Sequence, residues 1–240
     1  MRPGVAMALA IAVISIGGCR FIEGADEDRV QTAREFPRPD RPVAPIVSNR
    51  FSNEDSRERV GEADKVMDAA GIVTGMTVAD VGAGEGYYTV RLAQRVGAAG
   101  RVLAQDIDRD AVRGLADRVA RERLDNVSIK LGTPDDPQLP SNSFDRIFLV
   151  HMYHEVSEPY AFLWRLYPAL RKGGEVIVVD ADRPIRNHGT PPKLLFCEFE
   201  AVGFKLKDFI AQPEIDGYFA RFIASGNRPD PDAIRACKGG

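Results

Sequence analysis

Along this chain, short unbroken apolar runs alternate with stretches whose apolar residues recur every three or four positions. The first pattern suits buried strands and the second suits one-sided helices. Thr77 to Val81 reads as a strand, followed by a glycine-rich turn and a helix carrying Val90, Ala93 and Val96 on one face and Arg91, Gln94 and Arg95 on another. A second strand, VLAQD, ends at Asp106. Asp108 can cap the next helix, with Ala111, Val112, Leu115 and Val119 inward, and this crosses over to a third strand, Val127 to Leu131. Arg146 to Val150 is a fourth strand, apolar enough to be covered on both faces. Pro159 opens a helix running to Leu170, which Pro168 should bend or shorten, and Glu175 to Asp180 is a fifth strand. A turn-rich loop from Ala181 to Pro192 and a short helix from Lys193 to Val202 precede an antiparallel pair, Phe204 to Ile210 and Tyr218 to Ala224. Ahead of the first strand, Ser56 to Ala70 reads as one helix ended by Gly71. Such alternation predicts an α/β domain with a mostly parallel sheet.

The amino end has no such period. Val5 to Ile16 is almost uninterruptedly apolar, too short for a transmembrane helix of about 20 residues but suited to a signal-peptide core. The sequence Ile16-Gly17-Gly18-Cys19 resembles a bacterial lipoprotein cleavage box, which implies a signal peptide over 1–19 and a lipid on Cys19 that holds the exported protein to the periplasmic side of the membrane; the alternative is a cytoplasmic protein with an overlong start, or a simple uncleaved anchor. Residues 20–54 are polar and carry Pro37, Pro39, Pro42 and Pro45, the composition of a solvated linker. Residues 227–240 read as a tail.

Composition narrows the chemistry. A formal net charge of -3 argues against a phosphate-tracking surface, so no nucleic-acid partner is expected. After Cys19 only Cys197 and Cys237 remain. They have no C-x-x-C spacing for zinc; two positions permit a disulfide in an oxidising compartment without establishing one, and the preferred reading is two unpaired thiols.

The informative stretch is TVADVGAGEGYYTVRLAQRVGAAGRVLAQD. A dinucleotide-binding fingerprint would need glycine at position 87, where Tyr87 stands. The third glycine comes one residue early, and Asp80 precedes the first by two. D-x-G-x-G-x-G with an acid closing the next strand resembles the class I S-adenosylmethionine-dependent methyltransferases. The resemblance spans roughly residues 55 to 225. It implies a three-layer, Rossmann-like, seven-stranded, mostly parallel sheet with a C-terminal antiparallel hairpin over 55–226, and S-adenosylmethionine as cofactor. Asp80, Gly82, Ala83, Gly84 and Gly86 would hold its methionine part and Asp106 its ribose hydroxyls, with Ile107 and Val150 as neighbouring contacts. In that family an acid near the start of the loop after the third strand binds the adenine amino group. Here Thr133 takes its place, so the role would pass to Asp135 or Asp136.

Ligands of open parallel sheets bind beyond the carboxyl ends of the strands. His151, His154 and His188 all lie just past the ends of the fourth and fifth strands. Methyl transfer needs alignment and, for a hydroxyl or protonated amine, removal of a proton. His154 is the candidate general base, with Glu155 and Tyr153 beside it. The spacing His151-x-x-His154-Glu155 with a distant His188 also permits a metal site, but two histidines three apart are common without one, and no metal is assigned.

The expected function is methyl transfer to a small-molecule acceptor, closest to the small C- or O-methyltransferases of quinone biosynthesis. The alternative is a membrane-tethered, non-catalytic binding or scaffold module that keeps the fold. Export favours that alternative, because the cofactor is made in the cytosol, and so does Thr133 in the place of the adenine-binding acid. An oxidoreductase is disfavoured by Tyr87.

Overall fold

The structure, a computed structural model, describes residues 26–46, 54–213 and 217–239. Residues 1–19, read above as a signal peptide ending at Cys19, lie outside the described residues. The strands are β1 (Thr77–Val81), β2 (Arg101–Asp106), β3 (Val127–Leu131), β4 (Phe144–Val150), β5 (Leu170–Ala181), β6 (Phe204–Gln212) and β7 (Gly217–Ala224). They form one sheet in the order β3-β2-β1-β4-β5-β7-β6. The first five are parallel, and β7 pairs antiparallel with both β5 and β6, as expected. Strand order reverses between β1 and β4, so a crevice opens beyond their carboxyl ends.

The continuous apolar strands are buried on both faces. From β4, Ile147 and Leu149 enter one core while Phe148 and Val150 enter the other, and β5 divides Val176 and Val178 from Ile177 and Val179 in the same way. The first core is covered by α5 (Pro159–Leu166) and α6 (Pro192–Ala201), through Leu163, Leu166, Leu195 and Phe199. The second is covered by α2 (Glu62–Ala69) and α3 (Tyr87–Val96), through Val66, Met67, Leu92 and Val96. Between β2 and β3 runs α4 (Arg109–Arg121), capped by Asp108 as expected.

Several expectations need correction. The single helix over Ser56 to Ala70 is two, α1 (Glu54–Arg59) and α2, because Gly61 takes a left-handed conformation at φ 62°. The helix expected to reach Leu170 stops at Leu166 and tightens into a 3-10 turn over Tyr167–Ala169, so β5 starts five residues early. Pro168 is the reason: it lacks the N–H that would continue the helix.

The proline-rich segment is no solvated tether between 26 and 46. Arg29 is buried and grips Glu158 with two hydrogen bonds, at 2.9 and 2.7 Å. Arg41 donates to Glu198 and to the Val156 carbonyl, both at 2.9 Å, and Ala44 N–H donates to the His154 carbonyl at 3.0 Å. Phe36 packs edge-on against Trp164. The segment is held by arginine hydrogen bonds, which have no hydrophobic period to betray them. Its end meets the tail, where Gly239 N–H donates to the Asp40 carbonyl at 2.9 Å. The tail is anchored in turn by a Cys197–Cys237 disulfide, so the reading of two unpaired thiols is overturned.

Candidate active site

A cavity of about 680 Å³ occupies the crevice. One end is floored by Gly82, Ala83 and Gly84 after β1 and by Asp106 and Ile107 after β2. The other is formed by His151, Met152, His154 and Glu155 after β4 and by Ala181, Arg183 and His188 after β5. Glu54, Ser56, Arg57 and Val60 of the α1 region and Ile46 of the amino-terminal segment close it.

The glycine turn is tight for reasons of protein packing as well as ligand access. A Cβ on Gly82 would lie 2.9 Å from the Met152 side chain, and one on Gly86 would lie 2.4 Å from Leu115, while both residues have positive φ. Gly84 has open space beside it, and its N–H donates to Asp106 Oδ2 at 2.8 Å. Asp108 N–H donates to Asp106 Oδ1 at 2.9 Å, so both carboxylate oxygens are fixed at the end of β2. Gly86 serves the approach of α3 to α4 and does not line the cavity.

Asp80 lies beneath the turn, buried, with Thr89 Oγ1 donating to its Oδ2 at 2.6 Å. Burial pushes its carboxyl up to about 6. It supports the floor from below. Val150 lines the cavity, whereas Asp135 and Asp136 do not. Asp135 is buried in a structural knot, accepting from Thr32, Thr133 and Arg165. Thr133 and Pro134 face the cavity in its stead. The docked amino-terminal segment supplies Thr32, which is why sequence spacing misplaced this acid.

At the far end, His154 is buried and its Nδ1 lies 3.0 and 3.1 Å from the two carboxylate oxygens of Asp180. A carboxylate only accepts, so Nδ1 carries the proton and Nε2 is the basic nitrogen. Asp180, fully buried at the end of β5, also accepts from Ala181 N–H at 2.9 Å and Thr190 Oγ1 at 2.7 Å. Sequence reasoning missed this acid, although it closes a strand as Asp106 does. His188 stands edge-on to His154 with ring centroids 5.5 Å apart, and burial pushes its imidazole below the usual range. Nitrogen and oxygen atoms of His154, Glu155 and His188 lie within 4.8 Å of one another.

Tyr153 does not face the cavity. It is fully buried and donates to Glu198 Oε2 at 2.8 Å, so it buttresses the wall from behind. His151 instead points at Glu62, with Nε2 3.3 Å from Oε1. Burial acts to raise the Glu62 carboxyl, but hydrogen bonds from His151 and Arg57 hold it down at about 2. The Arg57 guanidinium lies over the rings of Tyr87 and Tyr88, at 4.0 and 5.1 Å, and pins α1 across the cavity.

Residues 78–174 match a family model described as "Methyltransferase domain". The chain is 27% identical over 180 residues to the ubiquinone/menaquinone biosynthesis C-methyltransferase UbiE of Enterobacter sp. (strain 638), covering 71% of this chain and 67% of that one. The UbiE of Escherichia fergusonii is also 27% identical, over 182 residues, with the same coverage. Among solved structures, a SAM-dependent methyltransferase from Aquifex aeolicus superposes with a TM-score of 0.64 at 26% identity, covering 70% of this chain and 91% of that one. The chain carries a class I methyltransferase domain with the Rossmann-like fold of that class. It is an S-adenosylmethionine-dependent methyltransferase, and S-adenosylmethionine is its methyl donor.

Proposed function

We propose that the enzyme methylates a small, largely apolar acceptor bearing one acidic hydroxyl, of the phenol type. The observation that carries this reading is one cavity with a glycine and Asp106 floor at one end and the buried His154–Asp180 pair at the other. Gly82, Ala83, Gly84, Asp106 and Ile107 fit the cofactor: a backbone without side chains beside a fixed carboxylate able to accept from paired hydroxyls. The bound cofactor supplies an electrophilic methyl group on a sulfonium.

The acceptor end combines Met152, Val156 and Phe162 with His154, Glu155, Arg183 and His188. Apolar walls with few polar groups orient a small ring by its hydroxyl. His154 Nε2, its tautomer set by Asp180, takes the hydroxyl proton. The resulting phenolate is nucleophilic at oxygen and at the adjacent ring carbons, so O- and C-methylation share this first step. The names of the UbiE relatives favour carbon. Incubating the protein with S-adenosylmethionine and a panel of phenols and quinols, with mass spectrometry of the products, tests the reading. Methylation confined to hydroxyl-bearing rings is expected, and a preference for amines or thiols would refute it.

We also read the protein as exported and held at the membrane through Cys19. The Cys197–Cys237 disulfide supports an oxidising compartment. Among the described residues no helix is long and apolar enough to cross a membrane. A Cys19→Ser variant expressed with a labelled fatty acid should lose both label and membrane association; label retained would refute the assignment.

A further inference from the structure

We propose that His154, Glu155 and His188 bind one divalent transition-metal ion at the acceptor end of the cavity. The three side chains come from two loops, one after β4 and one after β5, and only the side-by-side pairing of those strands brings them together. One candidate ligand atom from each side chain lies within 4.8 Å of the other two.

The arrangement has the supporting contacts that metal-ligating histidines carry. His154 turns Nδ1 to the Asp180 carboxylate and so presents Nε2, the carboxylate–histidine arrangement that orients a ligand and raises its basicity. Asp180 is itself fixed by Ala181 N–H and Thr190 Oγ1. His188 sits at φ 58°, a left-handed conformation uncommon outside glycine. Its N–H donates to the Ile185 carbonyl and its carbonyl accepts from Arg183 Nε, at 3.0 and 3.3 Å.

Two imidazoles and one carboxylate suit zinc, manganese, iron(II), cobalt or nickel better than calcium or magnesium. Three protein ligands on one wall of a cavity leave positions for an exogenous oxygen. Resting on the acceptor reading above, the ion's role is to bind the hydroxyl oxygen. The O–H bond breaks, the proton leaves to bulk water, and the oxygen stays on the cation, with no change of oxidation state. In the metal-bound protein His154 Nε2 is a ligand and does not take the proton; the ion lowers the pKa of the bound hydroxyl and stabilises its oxyanion instead.

The test is equilibrium dialysis of the chelator-treated full chain against Zn²⁺, repeated with Co²⁺ and visible absorption. The variants are Glu155→Gln and His188→Asn, the latter chosen because asparagine tolerates the left-handed backbone. Binding of S-adenosylmethionine, followed in parallel by calorimetry, reports that the cavity is intact. The proposal expects one zinc per chain, cobalt absorption of nitrogen and oxygen ligation, and affinity lowered about tenfold or more in each variant with cofactor binding retained. Wild-type protein that binds no stoichiometric zinc, or variants that bind zinc and cofactor like wild type, would overturn it. Either result leaves the methyltransferase reading standing, because the cofactor titration is read separately.

Discussion

Arg41 and Glu198, 157 positions apart, pair at 2.9 Å with only 1% of either side chain exposed. Glu198 also accepts from Tyr153, the neighbour of His154, and Arg41 also holds the Val156 carbonyl. The amino-terminal segment is therefore built into the wall behind the acceptor end. Replacing Arg41 by methionine leaves a buried carboxylate without its cation, which should cost about 3–5 kcal/mol. Urea denaturation of Arg41→Met checks this. A change within experimental error would mean that the segment is not docked in solution.

The Cys197–Cys237 disulfide spans a sequence separation of 40 and ties the tail to α6. By loop-closure entropy it should contribute roughly 3–4 kcal/mol. Cys197→Ser should lower the unfolding midpoint, and a reducing agent should lower the wild type's to match. Two reactive thiols on Cys197 and Cys237 in non-reduced native protein would contradict the pairing.

Asp80 gives a stability that depends on pH. Its folded carboxyl sits at about 6, against an ordinary 3.8, because of burial. The folded state therefore binds the extra proton between those values, and this site's contribution is present below about 4 and lost as pH rises through 6. The loss is on the order of 3 kcal/mol, from about 1.4 kcal/mol per pKa unit. Asp80→Asn should lack this slope between pH 4 and 6. Glu62, held at about 2, acts in the opposite sense: its contribution is present above pH 4.5 and lost as pH falls toward 2. Denaturation curves across pH 2–7 for Asp80→Asn and Glu62→Gln separate the two windows.

His154→Ala should leave cofactor affinity unchanged and lower kcat on the identified acceptor by about 10²- to 10⁴-fold. Asp180→Asn should lower kcat as well, since the amide no longer accepts from Nδ1 in the same way. Full turnover by His154→Ala would remove its catalytic assignment.

What the sequence revealed and what it hid follow from distance along the chain. The unit from β1 through the glycine turn and α3 to β2 was legible because Asp80, Gly82, Gly84, Gly86 and Asp106 fall within one local pattern. The two-sided burial of β4 and β5 was legible from their unbroken apolar runs. The His154–Asp180 pair was not, because it depends on which strands lie side by side. Arg29–Glu158 and Arg41–Glu198 were hidden for the same reason, and with them the docking of a segment whose composition suggested a solvated linker. Asp135 looked like a ligand until Thr32, 103 positions away, was seen to occupy it.

The central claim is that the cavity between β1 and β4 holds S-adenosylmethionine against Asp106. Calorimetric titration of the full chain with S-adenosylmethionine and its demethylated product, beside Asp106→Ala, tests it most directly. One site per chain is expected, weakened by about 1–3 kcal/mol in the variant through loss of hydrogen bonds to a charged acceptor. Absence of binding in the wild type, or equal affinity in the two proteins, would contradict it.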